Sequence, residues 1–134
     1  MVFLGYLFTF VFGPIEYYAQ GFHGSLPPKL VQILIVVSLA VSAGFCEEVI
    51  CRGYFLQQFL RWSDSKAVAV GLQASLFSLA HGSNQTPMGF VHKFLLGVLF
   101  GVVAVRRHSL IPGIIAHAGV NSMIGIAAVL VVPR

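Results

Sequence analysis

"VQILIVVSLAVSAGFCEEVICRG", residues 31–53, decides how this chain folds. Residues 31–46 carry no charge, and then two glutamates and an arginine follow inside a run that stays apolar beyond them. An uninterrupted apolar helix of about 20 residues is what a bilayer requires. An ionisable group at membrane depth costs at least about 2.5 kcal/mol and turns toward a partner or a polar cavity. Glu47, Glu48 and Arg52 therefore need partners supplied from elsewhere in the chain.

The whole sequence agrees with a membrane setting. Of its 134 residues, 57% are hydrophobic and only 9% charged, with a mean hydropathy of +0.89, where a soluble domain carries roughly a quarter charged residues. Long apolar runs produce that value, so the helices are expected to cross the bilayer. Backbone left unpaired is not tolerated in lipid, and the expected fold is all-α: a polytopic transmembrane bundle of about four spanning helices plus an N-terminal partial helix, in one membrane-embedded domain over 1–134. The formal charge of +4 sits in short loops between apolar runs, where it acts as a topology signal and gives no reason to expect nucleic acid. Cys46 and Cys51 lie five apart on one helix, about 8 to 9 Å between Cα atoms, too far for a disulfide.

Along the chain, residues 2–12 are apolar but short for a span and lack a signal-peptide pattern; the expectation is the remnant of a longer helix, with further N-terminal helices missing. "GPIEYYAQGFHGSLPPK" (13–29) breaks any helix with glycines and a Pro-Pro pair. A helix over residues 30–60 would measure about 45 Å against a hydrocarbon core of about 30 Å, so it must tilt, protrude or bend. "RWSDSK" (61–66) turns the chain into helices over 67–80, 90–105 and 112–132, separated by "HGSNQTPMG" (81–89) and "RRHS" (106–109); Pro112 suits a first turn. Arg61, Lys66, Arg106 and Arg107 then share one side, which puts the 61–66 and 106–109 loops in the cytoplasm.

Few polar residues interrupt these helices: Glu47, Glu48, Arg52, His81, His117 and Asn121. Glu48 and Arg52 are i, i+4 and can pair, which leaves Glu47 free on a face with Ala40, Ala43, Gly44 and Cys51. Counted from the cytoplasmic loops, Glu47 and His81 lie at the same depth, about 21 to 23 Å along their helices, and His117 about 15 Å. Asn121 is one turn beyond His117 on the same face. A carboxylate, two imidazoles and a carboxamide can converge from three helices, an inventory suited to hydrolysis: a base for water, a proton carrier and donors for an oxyanion. The plainer readings are a buried ion network that fixes packing, a histidine capping its helix at the interface, and one bonded to a neighbouring carbonyl. Gly97 to Gly101 forms a GxxxG pattern read as packing; His23, His92 and His108 read as loop or interface residues, and Asn84 opens a short glycosylation sequon. No HExxH or GxSxG occurs, and Asp64, the only aspartate, excludes an aspartyl dyad.

With these residues in place, the sequence resembles the CPBP family of intramembrane endopeptidases, the CAAX prenyl proteases and bacteriocin-processing enzymes also called Abi proteins. The family's EExxxR is matched by Glu47, Glu48 and Arg52 in "EEVICR", its FxxxH by Phe77 and His81 in "FSLAH", and its HxxxN by His117 and Asn121 in "HAGVN", within a family-like core at about 38–130. Cys51 stands where many members have an aromatic. The resemblance implies that Glu47 activates water with His81 helping to hold it, that His117 and Asn121 stabilise the oxyanion, and that Glu48 and Arg52 brace the site. It also implies a peptide or lipidated-peptide substrate, prenylated or bacteriocin-type, and an integral protein of a bacterial cytoplasmic membrane. Members of the family are described both as glutamate-type and as metal-dependent; Glu47, His81 and His117 are the candidate ligands of a divalent metal such as zinc. The alternatives are a non-catalytic bacteriocin-immunity or membrane-scaffold protein and, ranked lowest, a proton or cation pathway.

Overall fold

The computed structural model describes residues 28–81 and 87–131; the N-terminal partial helix, His23 and the Asn84 sequon lie outside them. The chain runs as α1 (Lys29–Glu48), a π-helical segment (Val49–Phe55), α2 (Leu56–Trp62), α3 (Lys66–Leu79), α4 (Pro87–Arg107) and α5 (Ile111–Val131). The first three are one continuous helix, Lys29–Trp62, of 34 residues. It and α4 are long and apolar enough to cross a bilayer, while the apolar parts of α3 and α5, Lys66–Ala80 and Ile111–Ala127, are shorter. The bundle is helical throughout the described residues, as the hydropathy predicts.

The middle of the long helix departs from a plain α-helix. Backbone bonds there span five residues, as from the Leu56 N–H to the Cys51 carbonyl. In an α-helix residues four apart drift by about 40° around the axis, whereas the wider turn holds more residues and turns less per residue. Glu48, Arg52 and Leu56 accordingly all point inward, at 1%, 0% and 0% exposure. Gln57 donates its side-chain amide to the Arg52 carbonyl at 3.3 Å. Such π turns concentrate at functional sites.

The helices pair two by two. α5 lies antiparallel to α1, with Gly44 against Ala118 and Gly113 against the Glu48 carboxylate; α4 lies antiparallel to α3, with Gly97 against Ala74 and Gly101 against Val70 and Gln73. α4 and α5 meet only sparsely. The GxxxG pattern thus does what its small residues suggest, letting α4 approach the α3 backbone. The aliphatic core gathers Leu56, Ala69 and Val70 with Phe59, Leu60, Val98, Val102, Ala104 and Val105, tying α2 to the α3–α4 pair.

The distribution of polarity is turned inside out relative to a soluble protein. Leu34, Phe45, Leu72, Leu95, Ile115 and Ile124 are exposed, and Glu47, Glu48, Arg52, Gln73, Ser78 and His117 are buried. That pattern fits lipid outside and a polar layer inside. Short devices close the ends: Ser65 Oγ accepts the Val68 N–H at 3.4 Å to cap α3, His108 takes the left-handed conformation (φ 49°) in the α4–α5 turn, and Lys29 Nζ donates to the Leu130 carbonyl at 3.2 Å near the end of α5.

Gly44 offers a direct test of the α1–α5 pairing, because a Cβ there would stand 2.8 Å from the Ala118 backbone nitrogen. Gly44→Ala should lower stability by about 1–3 kcal/mol through this overpacking, read as a drop in thermal midpoint in detergent. Gly71→Ala, with nothing within 4 Å of the added methyl, should leave the midpoint unchanged or slightly raised.

Candidate active site

The buried polar layer is built around Glu48. Its Oε1 receives Arg52 Nη1 at 2.9 Å from one turn along the same helix and His117 Nδ1 at 3.0 Å from α5. Arg52 has no solvent contact; its guanidinium lies over the Phe77 ring at 4.5 Å and the Phe100 ring at 5.4 Å, and Nη2 donates to the Gly97 carbonyl at 3.4 Å. One carboxylate and one guanidinium therefore reach α1, α3, α4 and α5 together. The i, i+4 ion pair expected from the sequence is present.

Glu47 faces the other way and meets both histidines. Its Oε2 lies 3.6 Å from His117 Nε2 and 4.0 Å from His81 Nε2. His81 Nδ1 sits 2.7 Å from the Phe77 carbonyl; a carbonyl only accepts, so Nδ1 carries the proton and, in the neutral ring, Nε2 offers its lone pair toward Glu47. His117 Nδ1 likewise donates to Glu48, which turns its Nε2 toward Glu47. Phe77 packs edge-on to His81 at 4.6 Å between ring centroids, and Phe100 stacks on His117 at 5.4 Å, so both imidazoles are held in plane and angle. A separation of 3.6–4.0 Å is too long for a direct hydrogen bond.

The structure thus brings Glu47, Glu48, Arg52, His81 and His117 into one layer. Asn121 is placed one turn beyond His117 on α5; its side-chain nitrogen is enclosed and has no hydrogen-bond partner among the described residues, and it makes no direct bond to the other five. Two residues escaped the sequence reading. Gly113 lets α5 pass over Glu48, since a Cβ there would stand 2.8 Å from Oε2, and Phe100 fixes His117. The glycine one residue after Pro112 in "IPG" was the available signal for the first; nothing in the local sequence marks the second.

Two imidazole nitrogens and a carboxylate are the donor types of a catalytic zinc site. Among the described residues, however, no three His, Cys, Asp or Glu side chains are disposed to hold one ion together.

The model of a protein family described as "Rce1-like: Type II CAAX prenyl endopeptidase Rce1-like" matches residues 27–123, a span that includes all six polar residues. The chain belongs to this family. Neither the curated proteins nor the solved structures yield a match to it. The Rce1-like family is one of membrane-embedded CAAX-type peptidases, which gives the chain its class, an intramembrane hydrolase acting on peptides. Within an Rce1-like chain, the two long apolar helices fit a position inside the bilayer.

The Glu48 carboxylate can be tested apart from catalysis. Glu48→Gln leaves the buried Arg52 charge without its counter-ion and should lower stability by about 3–5 kcal/mol, measured by unfolding in detergent. Adding Arg52→Gln in the same chain should recover part of that loss, because no uncompensated buried charge is then left behind.

Proposed function

We propose that the chain hydrolyses a peptide bond of a membrane-associated, prenylated or bacteriocin-type peptide, with Glu47 as the general base. The observation that carries this reading is the position of Glu47 Oε2 between two Nε2 atoms, 3.6 and 4.0 Å away, at a spacing that one water spans. A water there donates one hydrogen to Glu47 and the other to His81 Nε2, leaving an oxygen lone pair for the substrate carbonyl carbon. As the C–O bond forms, Glu47 takes the water's proton, and the carbonyl oxygen becomes an oxyanion. His117 in its doubly protonated form donates Nδ1–H to Glu48 and Nε2–H to that oxyanion, with the Asn121 side-chain nitrogen, which has no hydrogen-bond partner among the described residues, as a second donor. Collapse breaks the C–N bond, and Glu47 returns the proton to the leaving amine.

The surroundings support such a role. Phe77 and Phe100 pack on the Arg52 guanidinium and the two imidazoles, and α4 and α5, which touch only sparsely among the described residues, are the side from which a lipid-anchored peptide would approach. Arg61, Lys66, Arg106 and Arg107, at the helix ends that flank the α2–α3 and α4–α5 turns, favour placement in a cytoplasmic membrane with those turns inside. A purely scaffolding or immunity role would not need Glu47 ionisable, and this is what separates the two.

Glu47→Gln and His81→Ala should each abolish cleavage of a farnesylated CAAX peptide in reconstituted vesicles while insertion and thermal midpoint stay near wild type. A role limited to binding would instead leave the Glu47→Gln variant as effective as wild type in every assay of the protein. A chelator should leave the wild-type rate unchanged, and restoration of chelator-lost activity by zinc would replace the glutamate-based step with a metal-based one.

A further inference from the structure

Resting on the peptidase reading, we infer that Lys93 takes the C-terminal carboxylate of the substrate and so makes this site select peptides that end a few residues beyond the scissile bond. Lys93 is half-buried on α4. At about 100° per residue, it lies within about 20° of Phe100, which stacks on His117, and about 40° from Gly97, whose carbonyl receives Arg52. The lipid-facing stripe of α4, with Met88, Val91, Leu95 and Leu99 all exposed, points the opposite way. The ammonium group is therefore carried on the inward face, not on the one from which a lysine would reach out to headgroups.

Its position relative to the reaction centre is also fixed. Ser78 Oγ donates to the Phe90 carbonyl at 2.8 Å, and Gly97 presses on Ala74, so antiparallel counting sets Lys93 level with Phe77 and within a turn of His81. No described carboxylate forms an ion pair with Lys93: Glu48 is taken by Arg52 and His117, Glu47 faces the two histidines, and Asp64 sits in the α2–α3 turn at the other end of α3. Glu16 lies outside the described residues.

A cation turned into the bundle with no counter-ion among the described residues is matched to an anion that arrives with the substrate. A CAAX peptide brings one: three residues follow the prenylated cysteine, and their terminal carboxylate stands at most about 10 Å from the scissile carbonyl. That length is comparable to the spacing of about 8–10 Å between packed neighbouring helices, the interval from His81 on α3 to the inward face of α4. The same charge would exclude internal segments of longer chains, which offer no carboxylate at that distance.

Binding tests this without requiring turnover. The full chain carrying Glu47→Gln, reconstituted in neutral lipid vesicles, is titrated with a farnesylated CAAX peptide bearing either a free C-terminal carboxylate or a C-terminal amide. The acid should bind roughly 10- to 100-fold more tightly than the amide, as expected for a charge-assisted bond. Adding Lys93→Met should erase that difference, and Lys93→Arg should keep most of it. With Glu47 intact, Lys93→Met should raise KM for the acid and leave kcat and the amide's KM little changed. Equal affinity of acid and amide, no binding of either, or a preference that survives Lys93→Met would overturn the assignment. So would a Lys93→Met loss that is equal for both peptides and appears only with anionic lipid, which would reassign the lysine to headgroups. Selective binding without cleavage by the Glu47-intact chain would remove the peptidase reading and leave Lys93 as the carboxylate site, whereas cleavage of both peptides at equal KM would do the reverse.

Discussion

The Glu48 carboxylate, clasped between Arg52 on its own helix and His117 on α5, is the interaction on which the rest of the layer depends. Ionic groups placed in a lipid-surrounded bundle are stabilising only when each is answered by another, and here one anion answers a guanidinium and an imidazole at once. The guanidinium in turn lies over two aromatic rings on α3 and α4 and donates to a backbone carbonyl. Removing the carboxylate would strand a buried cation that lies against α3 and α4. Such a network contributes less to net stability than an apolar core would, because of its desolvation cost, but it leaves very few ways for the four helices to come together.

This geometry divides the labour of two adjacent glutamates. Neighbouring positions on a helix point about 100° apart, so Glu48 can be spent on structure while Glu47 is presented to the imidazole Nε2 atoms. The π segment that follows lets Arg52 and Leu56 share the inward face with Glu48. Orientation of His117 by a buried carboxylate, and of His81 by a backbone carbonyl, fixes which nitrogen of each ring faces Glu47. The chemistry proposed for the site follows from those two outer bonds as much as from the three groups that meet.

Close approach of the backbones makes the layer possible. Gly44 and Gly113 bring α5 onto α1, and Gly97 and Gly101 bring α4 onto α3, so that side chains as short as Glu and His can meet across helices. The two pairs remain loosely joined to each other between α4 and α5.

Hydropathy and helical spacing determined the all-α class, four of the helical stretches to within a few residues, and the pairing of Glu48 with Arg52, because these depend on local periodicity and on the cost of charge in lipid. The depth count along the helices also groups Glu47, His81 and His117. Only the tertiary structure decided what a linear pattern cannot carry. Glu48 also holds His117, since that bond joins residues 69 apart. The long helix widens after Glu48, since its turn is set by which side chains must stay inward. Phe100 and Gly113 belong to the site, since stacking and close approach are properties of two helices and not of one. Asn121, read from its spacing as sharing a face with His117, follows it one turn along α5, and only the tertiary structure shows that its side-chain nitrogen is enclosed with no hydrogen-bond partner among the described residues.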